Sequence, residues 1–128
     1  MFLAAETRPE DEVLALWSLD AVVVADRRSV PEVSLGLFSY WDLPTARARD
    51  LHFLNPELLL ELVRTARPAA VVLTDLDRGT LRRAGVVSKR PGAPEPIFAA
   101  LERRYTRAFT GSGFGMSEPV TVEVYLRR

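Results

Sequence analysis

Residues 55–74 decide the fold class of this chain, and their sequence is NPELLLELVRTARPAAVVLT. Asn55 suits the N-cap of a helix and Pro56 its first turn, because the asparagine side chain can accept from a free backbone N–H and proline has none to leave unpaired. Leucines then recur at helical spacing, which predicts an amphipathic helix over 55–67 that the following proline ends. Residues 69–74 are apolar and rich in valine, which indicates a buried strand. A helix, a tight turn and a buried strand in this order predict an α/β fold.

Further strands and a second helix are predicted on both sides of this unit. Residues 12–17 are apolar in both alternating sets, which is typical of a strand buried on both faces of a parallel sheet. Residues 20–25 stay ambiguous, because their valines favour a strand while their position between two loops allows a short buried helix. Toward the C-terminus the pattern predicts a helix over 96–104 and strands over 105–110 and 120–126, the last in strict alternation.

These elements together predict one α/β domain over residues 1–128. We expect a three-layer, Rossmann-like arrangement with about four to five mostly parallel strands and a C-terminal antiparallel hairpin at the sheet edge. The length suits a single domain, and 48% of the residues are apolar, which provides enough side chains for a core.

The composition excludes several kinds of site. The chain has 17 basic and 17 acidic residues, so it lacks the positive excess typical of nucleic-acid-binding proteins, and we expect no nucleic-acid partner. It has no cysteine, which excludes disulfides, thiolate catalysis and cysteine–zinc sites. The single histidine, His52, has no candidate nucleophile beside it, and we interpret it as a packing or hydrogen-bonding residue. We therefore predict no catalytic residue, no metal ligand and no cofactor within this chain.

The sequence contains no segment with membrane-spanning character. No apolar run approaches the roughly 20 residues needed to cross a bilayer. Residues 1–5, MFLAA, are too short for a signal peptide and resemble the last turn of a helix whose upstream part is missing. The chain by itself is therefore not expected to insert into a membrane.

Asp75 and Asp77 follow the predicted strand 69–74 at its carboxyl end. In open α/β sheets ligands bind at this position, and two aspartates at this spacing can coordinate the divalent cation of a nucleotide-sugar. Asp75 is equally placed to cap a helix that includes residues 78–83. Because no histidine or further carboxylate lies close by in the sequence, capping is the favoured interpretation, and a ligand site is the alternative.

Gly111, Gly113 and Gly115 form a glycine-rich stretch between the last two predicted strands. A dinucleotide-binding loop needs the pattern G-x-G-x-x-G between a strand and a helix, whereas here the pattern is G-x-G-x-G and a strand follows. We therefore interpret the stretch as a hairpin-like turn with positive φ values. A contact with a ligand stays as the alternative.

The most unusual passage is residues 31–42, PEVSLGLFSYWD, which gathers Phe38, Tyr40 and Trp41 behind Gly36. Clustered aromatic rings can stack on sugars, but they more often fold onto the core or onto a partner, because their burial is strongly favourable. Rings that stay exposed mark an interface. This passage is therefore a candidate carbohydrate-binding or protein-interaction surface.

In the order of its motifs, the chain resembles the small soluble domain that follows the membrane part of many bacterial multi-span glycosyltransferases of the dolichyl-phosphate-mannose type. The similar segments are RPEDEVL at 8–14, DRRSVP at 26–31, GLFSY at 36–40, RPAAVVLT at 67–74 and the whole of 105–128. Asp26 departs from the pattern of that family, which has glycine at this position.

The resemblance implies a non-catalytic accessory domain that positions an acceptor or braces the membrane part of a glycosyltransferase. The membrane helices and the acidic loop residues that carry catalysis in that class are absent from this sequence, so the active centre would lie outside it. The implied partner is the membrane domain, with a carbohydrate or lipid-linked sugar as a possible ligand. The implied location is the extracytoplasmic face of the membrane.

Two other classes of function stay open, and for both we expect a soluble cytoplasmic protein. One is a stand-alone nucleotide- or sugar-binding module with its ligand near Asp75, Asp77 and residues 111–115. The other is an interaction module that pairs through residues 38–41 or through an edge strand at 120–126.

Overall fold

Five strands form one sheet in the computed structural model, which describes residues 2–33, 35–83, 96–114 and 119–128. Within these ranges the strands are β1 (Glu12–Ala15), β2 (Arg28–Ser29), β3 (Ala70–Thr74), β4 (Tyr105–Phe114) and β5 (Val120–Arg127). Their order across the sheet is β2-β1-β3-β5-β4. The chain therefore has a mixed α/β architecture whose predicted strands are all present.

The sheet is parallel in one half and antiparallel in the other. β1 pairs in parallel with both β2 and β3, whereas β5 pairs antiparallel with both β3 and β4. The expectation of a mostly parallel sheet is wrong for the C-terminal half, because β4 and β5 form a hairpin and it is β5 that pairs with β3. The antiparallel hairpin at the edge is confirmed, with β4 outermost. β5 is an interior strand, so the expectation that 120–126 offers a free edge is wrong.

Helices and short 3₁₀ turns connect the strands. The described residues contain α1 (Phe2–Glu6), α2 (Leu19–Val24), α3 (Thr45–Asp50), α4 (Pro56–Arg64), α5 (Asp75–Arg83) and α6 (Pro96–Arg104), with 3₁₀ turns at Pro31–Val33 and Gly36–Ser39. The ambiguous residues 20–25 fall largely in α2. A helix is required here because β1 and β2 are parallel neighbours, and parallel strands need a crossover connection.

Helix α4 begins as predicted and ends early. The Asn55 side chain accepts a hydrogen bond from the Leu58 backbone N–H at 2.9 Å, and Pro56 is the first helical residue. The last helical residue is Arg64, because Ala66 adopts a φ of 51° and a left-handed residue ends the helical hydrogen bonding.

Alternate side chains of the central strands contribute to two separate cores. In one core, Val13 of β1 and Val72 of β3 pack with residues of α1 and α2. In the other, Leu14 of β1 and Val71 of β3 pack with residues of α4 and α6. The central strands β1 and β3 are therefore packed on both sides, whereas several residues of the edge strand β4 are exposed.

Candidate functional site

The carboxylate of Asp77 joins the ends of the two parallel strands β1 and β3. Its Oδ1 atom accepts a hydrogen bond from the Trp17 backbone N–H at 3.1 Å, just beyond β1. Its Oδ2 atom accepts from the Thr74 backbone N–H at 2.7 Å and from the Thr74 hydroxyl at 3.0 Å, at the end of β3. The residue is 0% exposed, and burial raises the pKa of its carboxyl, an effect that these hydrogen bonds only partly offset. Asp77 therefore links the ends of β1 and β3 inside the domain, and its carboxylate oxygens are not accessible to solvent.

Thr74 and Asp77 also cap helix α5 reciprocally. The Asp77 backbone N–H donates to Thr74 Oγ1 at 3.2 Å, while the Asp77 carboxylate accepts from the Thr74 backbone N–H. This is a capping box in which Asp77, three residues after the cap residue Thr74, replaces the usual glutamate or glutamine. The prediction that Asp75 caps this helix is wrong, because α5 begins at Asp75 and Thr74 therefore takes the cap position. Asp75 is exposed, and its carboxylate accepts from the Thr121 backbone N–H at 3.1 Å.

The sheet brings Asp75 to the same end as part of the glycine-rich stretch. Val122 of β5 pairs with Thr74 on one side and with Gly111 on the other. Asp75 and Gly111 therefore flank the beginning of β5, whereas the Asp77 carboxylate is withdrawn into the interior. The predicted grouping of both aspartates with the glycines is only partly present.

Gly111 and Gly113 lie within strand β4, which extends beyond the predicted end of this strand. Gly113 has a φ of 85°, so the predicted positive φ is present at this position. The β4–β5 register shifts between Gly111 and Phe114, which indicates an irregular strand in place of a turn at these residues. Gly115 lies outside the described residues.

The aromatic segment, residues 36–41, is anchored on the end of β1. Gly36 has a φ of 60°, and a Cβ atom at this position would lie 2.8 Å from the Leu16 carbonyl oxygen. Glycine therefore permits a backbone approach that any larger residue would disturb. Residues 39–41 also pair with Leu54 through two backbone hydrogen bonds of 2.8 Å and 2.9 Å.

The three aromatic residues of this segment differ in exposure. Phe38 is 75% exposed and Trp41 is 50% exposed, whereas Tyr40 is buried. The Trp41 indole N–H donates to the Phe38 carbonyl at 2.6 Å, and the Trp41 ring centroid lies 6.4 Å from that of Phe53. Burial raises the pKa of Tyr40, whose hydroxyl has no hydrogen-bond partner among the described residues. Phe38 and Trp41 are therefore available to a partner, and Tyr40 is a core residue.

Several large apolar side chains are exposed in the segments that adjoin the end of β1. We call them the strand-end surface, and its members are Trp17, Leu35, Phe38, Trp41 and Leu76. Backbone contacts bring them together: Trp17 is bonded to Asp77, the neighbour of Leu76, and Gly36, the neighbour of Leu35, touches the residue after β1. In open α/β sheets this end binds polar ligands. Here five large exposed apolar side chains lie beside the exposed carboxylate of Asp75.

A charged cleft beside α4 was not singled out from the sequence. Its volume is about 310 Å³. Its apolar lining consists of Phe53, Leu54, Leu58 and Leu62, and its charged and polar lining of Glu32, Arg49, His52, Glu61, Thr65 and Arg67. These residues come from three stretches of the chain, 32, 49–54 and 58–67, so tertiary packing brings the first of them to the other two.

Ion pairs fix the charged lining of this cleft. The Arg67 guanidinium donates from Nε to Glu12 at 3.0 Å and from Nη1 to Glu32 at 2.7 Å. Desolvation alone would raise the pKa of Glu32, but the hydrogen bonds and charge of Arg67 outweigh it and lower that pKa. Arg49 pairs with Glu61 at 3.2 Å in a more exposed position. The cleft therefore presents charges of both signs above an apolar floor.

His52 lies at this cleft and is exposed. Of the two roles that the sequence suggested, packing is wrong because the side chain is exposed, and hydrogen bonding by the imidazole is not observed among the described residues. The residue follows α3 with a φ of 58°, and its backbone N–H donates to the Arg49 carbonyl at 3.1 Å. The left-handed conformation closes the turn after the helix, and the imidazole is left in contact with solvent.

Glu123 of β5 forms ion pairs with two arginines on the face of the sheet. Arg78 Nε donates to Glu123 Oε2 at 2.9 Å, and Arg107 Nη1 donates to Glu123 Oε1 at 3.0 Å. The Arg78 guanidinium also lies 4.7 Å from the centre of the Phe98 ring. Desolvation would raise the pKa of Glu123, but the bonds from both arginines outweigh it and lower that pKa. The network holds one carboxylate between two guanidinium groups, and we interpret it as a structural link between α5, β4 and β5.

Neither a metal site nor a membrane span is found in the ranges that the structure describes. No three histidine, cysteine, aspartate or glutamate side chains of these ranges are grouped to hold a metal ion. No helix within the same ranges combines the length and apolar character that crossing a bilayer requires.

Comparison with known proteins identifies no relative of this chain. No protein-family model matches it, and no curated protein or solved structure matches it significantly. The resemblance to the soluble domains of multi-span glycosyltransferases therefore stays a prediction from the sequence.

Proposed function

We propose that this chain is a non-catalytic accessory domain of a membrane glycosyltransferase that uses lipid-linked sugars, and that the strand-end surface docks on the membrane part. The observation that carries this proposal is the exposure of large apolar side chains, between 44% and 75% each, around the end of β1. The polar groups at this end, above all the Asp77 carboxylate, are bonded inside the domain. An apolar surface of this kind suits burial against a protein better than it suits a polar ligand.

The ordered sequence motifs support the choice of partner. The segment GLFSY at 36–40 is one of the similar segments, and it supplies Phe38 to the strand-end surface. On this proposal the catalytic carboxylates and the membrane helices belong to another part of the enzyme. The domain lies on the extracytoplasmic face, where it braces the membrane part or positions the acceptor.

We also infer a three-layer arrangement, Rossmann-like in outline, for this domain. The support is the packing of α1 and α2 in one core and of α4 and α6 in the other, with alternate residues of β1 and β3 in each. The antiparallel pairing of β5 departs from a doubly wound parallel sheet.

Photocrosslinking from the strand-end surface tests the docking proposal in the native cells. A benzophenone amino acid replaces Phe38, and the same amino acid replaces Val23, which is 73% exposed on α2, as the matched control. We expect position 38 alone to crosslink to a membrane polypeptide, or within a polypeptide much larger than the 14.3 kDa of this chain. A soluble 14.3 kDa species without an adduct at position 38 would contradict the proposal. An adduct between two copies would instead favour a self-associating interaction module.

Sugar transfer provides the second readout. We expect Phe38→Ser with Trp41→Ser to reduce transfer by the complete enzyme, while the free energy of unfolding of the domain falls by about 1 kcal/mol or less, because both side chains are largely exposed. The purified chain is expected to transfer no sugar. Transfer by the purified chain would overturn the non-catalytic assignment.

The charged cleft supports a second candidate function, the binding of a nucleotide or sugar by a stand-alone module. Its volume of about 310 Å³ and its combination of an apolar floor with fixed charges are typical of small-molecule sites. A thermal-shift screen with nucleotide-sugars tests this candidate, since a ligand at about 100 times its Kd stabilises by about 2.7 kcal/mol. Leu58→Trp, which fills the cleft, should abolish the shift, and Leu51→Trp outside the cleft should retain it.

A further inference from the structure

Three arginines share one end of the molecule. Arg64 is the last residue of α4, Arg103 and Arg104 are the last residues of α6, and the two helices pack against each other. With Ala100 these arginines line an open concavity of about 570 Å³, which we call the arginine notch. All three arginines are exposed, and no acidic residue is part of the lining described here.

Helix capping does not account for this notch. Cationic side chains are common at helix C-termini, because the last carbonyl groups and the helix dipole attract them. Here Arg128 already donates to the carbonyls of Glu102 at 3.0 Å and Tyr105 at 3.3 Å, at the end of α6. Arg127 donates to the Ala66 carbonyl at 3.2 Å, just beyond α4. The carbonyls of the last turn of α4 accept from the backbone N–H groups of residues 65–67, and Arg128 bonds the Glu102 carbonyl of α6, so the helix ends are bonded without the notch arginines.

The notch concentrates positive charge without a described counterion. Elsewhere Glu123 forms ion pairs with Arg78 and Arg107, and Glu32 binds Arg67. In the part of the chain that the structure describes, no carboxylate forms an ion pair with the three notch arginines. Like charges that line one concavity repel each other, so an anion in the notch would relieve their repulsion.

We propose that the arginine notch binds a phosphate group. Guanidinium groups present paired N–H donors that match phosphate oxygens, and arginine keeps its charge at every physiological pH. The concavity that the three arginines and Ala100 line, with a volume of about 570 Å³, has room for a phosphate group. Because the concavity is open, the phosphate belongs to a ligand that stays in contact with solvent. A soluble pyrophosphate compound and the headgroup of an anionic lipid share this chemistry.

Two probes test the proposal on the purified chain. Inorganic pyrophosphate is titrated by calorimetry, and vesicles of phosphatidylglycerol in phosphatidylcholine are tested by co-sedimentation. We expect the variant Arg64→Gln, Arg103→Gln, Arg104→Gln to bind at least one of these probes about tenfold more weakly than the unsubstituted chain. The matched control carries the same loss of charge at three exposed arginines elsewhere, Arg8→Gln, Arg28→Gln and Arg47→Gln.

The pattern of losses identifies the ligand. A selective loss of pyrophosphate binding in the notch variant supports a soluble phosphate ligand, and a selective loss of vesicle binding supports a lipid headgroup. Absence of binding to both probes, or equal losses in the notch and control variants, overturns the proposal. The notch lies beside the beginning of β3, whereas the strand-end surface lies at its other end, so neither result depends on the docking proposal.

Discussion

The two ends of the central sheet use polar and apolar side chains in opposite ways. Where β1 and β3 stop, the polar groups of Asp77 and Thr74 point inward, and the apolar strand-end surface faces solvent. Where β3 begins and β5 stops, the aromatic side chain of Tyr105 points inward, and the arginine notch faces solvent. One end is suited to an apolar partner and the other to an anion.

The difference shows how a strand end can be apolar on its outer face. The backbone N–H groups of Trp17 and Thr74 need acceptors once the strands stop, and the Asp77 carboxylate provides both from inside the domain. These two N–H groups therefore need no partner on the outer face. At the opposite end the last carbonyls of α4 accept from backbone N–H groups and the Glu102 carbonyl of α6 accepts from Arg128, which leaves the notch arginines to a ligand.

Removal of the Asp77 carboxylate should destabilise the end where β1 and β3 stop, and we expect it to lower the free energy of unfolding more than the other substitutions described below. In Asp77→Ala the backbone N–H groups of Trp17 and Thr74 lose their acceptors, and each buried unpaired donor costs about 1–3 kcal/mol. The cap of α5 is lost as well. We expect the free energy of unfolding, measured by urea denaturation, to fall by about 3–5 kcal/mol.

Asp75→Ala is the matched control for this prediction. Asp75 is exposed and accepts one hydrogen bond, from the Thr121 backbone N–H, so we expect a loss of about 1 kcal/mol or less. Equal small losses in the two variants would show that Asp77 does not hold the strands together.

Much of the strand framework could be predicted from the sequence because it depends on local signals. Asn55, Pro56 and the leucines after them define the start and the buried face of α4, and the valines of 69–74 define β3. The choice between Asp75 and Asp77 was predicted wrongly, although a signal was present. Thr74 and Asp77 have the spacing of a capping box, which would have placed the start of α5 correctly.

The cleft, the notch and the sheet order depend on contacts between distant segments. Arg67 lies in the turn that follows α4 and binds Glu32, which is distant in the sequence. Arg64 and Arg103 line one concavity only because α4 and α6 pack together. The alternation in 120–126 predicts a strand, but it does not indicate which neighbours that strand pairs with. These features follow from tertiary packing, for which a single sequence has no periodic signal.

Substitution of Gly36 tests whether the aromatic segment approaches the end of β1 as closely as the structure shows. In Gly36→Ala the new Cβ atom meets the Leu16 carbonyl oxygen at 2.8 Å, and the φ of 60° is unfavourable for alanine. We expect the free energy of unfolding to fall by about 2 kcal/mol, with a change in tryptophan fluorescence because Trp17 and Trp41 lie nearby.

Gly79→Ala provides the control for this substitution. Gly79 lies within α5 with no atom within 4 Å of the added Cβ, so we expect alanine to stabilise the domain by about 0.5–1 kcal/mol. If both glycine variants changed stability in the same direction, the close approach of the aromatic segment to β1 would be ruled out.

Tyr105→Phe tests the buried side of the end of the sheet that carries the arginine notch. At neutral pH we expect it to lower the free energy of unfolding less than Asp77→Ala and Gly36→Ala. Tyr105 is 1% exposed, and its hydroxyl donates to the Pro68 carbonyl at 2.8 Å. The variant leaves that carbonyl unpaired and should lower the free energy of unfolding by about 1 kcal/mol. We then measure the free energy of unfolding at alkaline pH, because only a hydroxyl that is buried in the folded protein makes the difference between the two proteins depend on pH.

Burial raises the pKa of Tyr105 from 10.0 to about 12. A group whose pKa is higher in the folded state contributes stability that is complete below the unfolded pKa and is lost as the pH rises toward the folded pKa. The unsubstituted chain should therefore lose stability between pH 10 and about 12 through this residue, and Tyr105→Phe should not. Tyr40 and Tyr125, whose pKa values burial also raises, titrate in both proteins and cancel in the difference. We expect the difference in free energy of unfolding between the unsubstituted chain and Tyr105→Phe to shrink across this window. A constant difference would mean that the Tyr105 hydroxyl is as well solvated in the folded protein as in the unfolded chain.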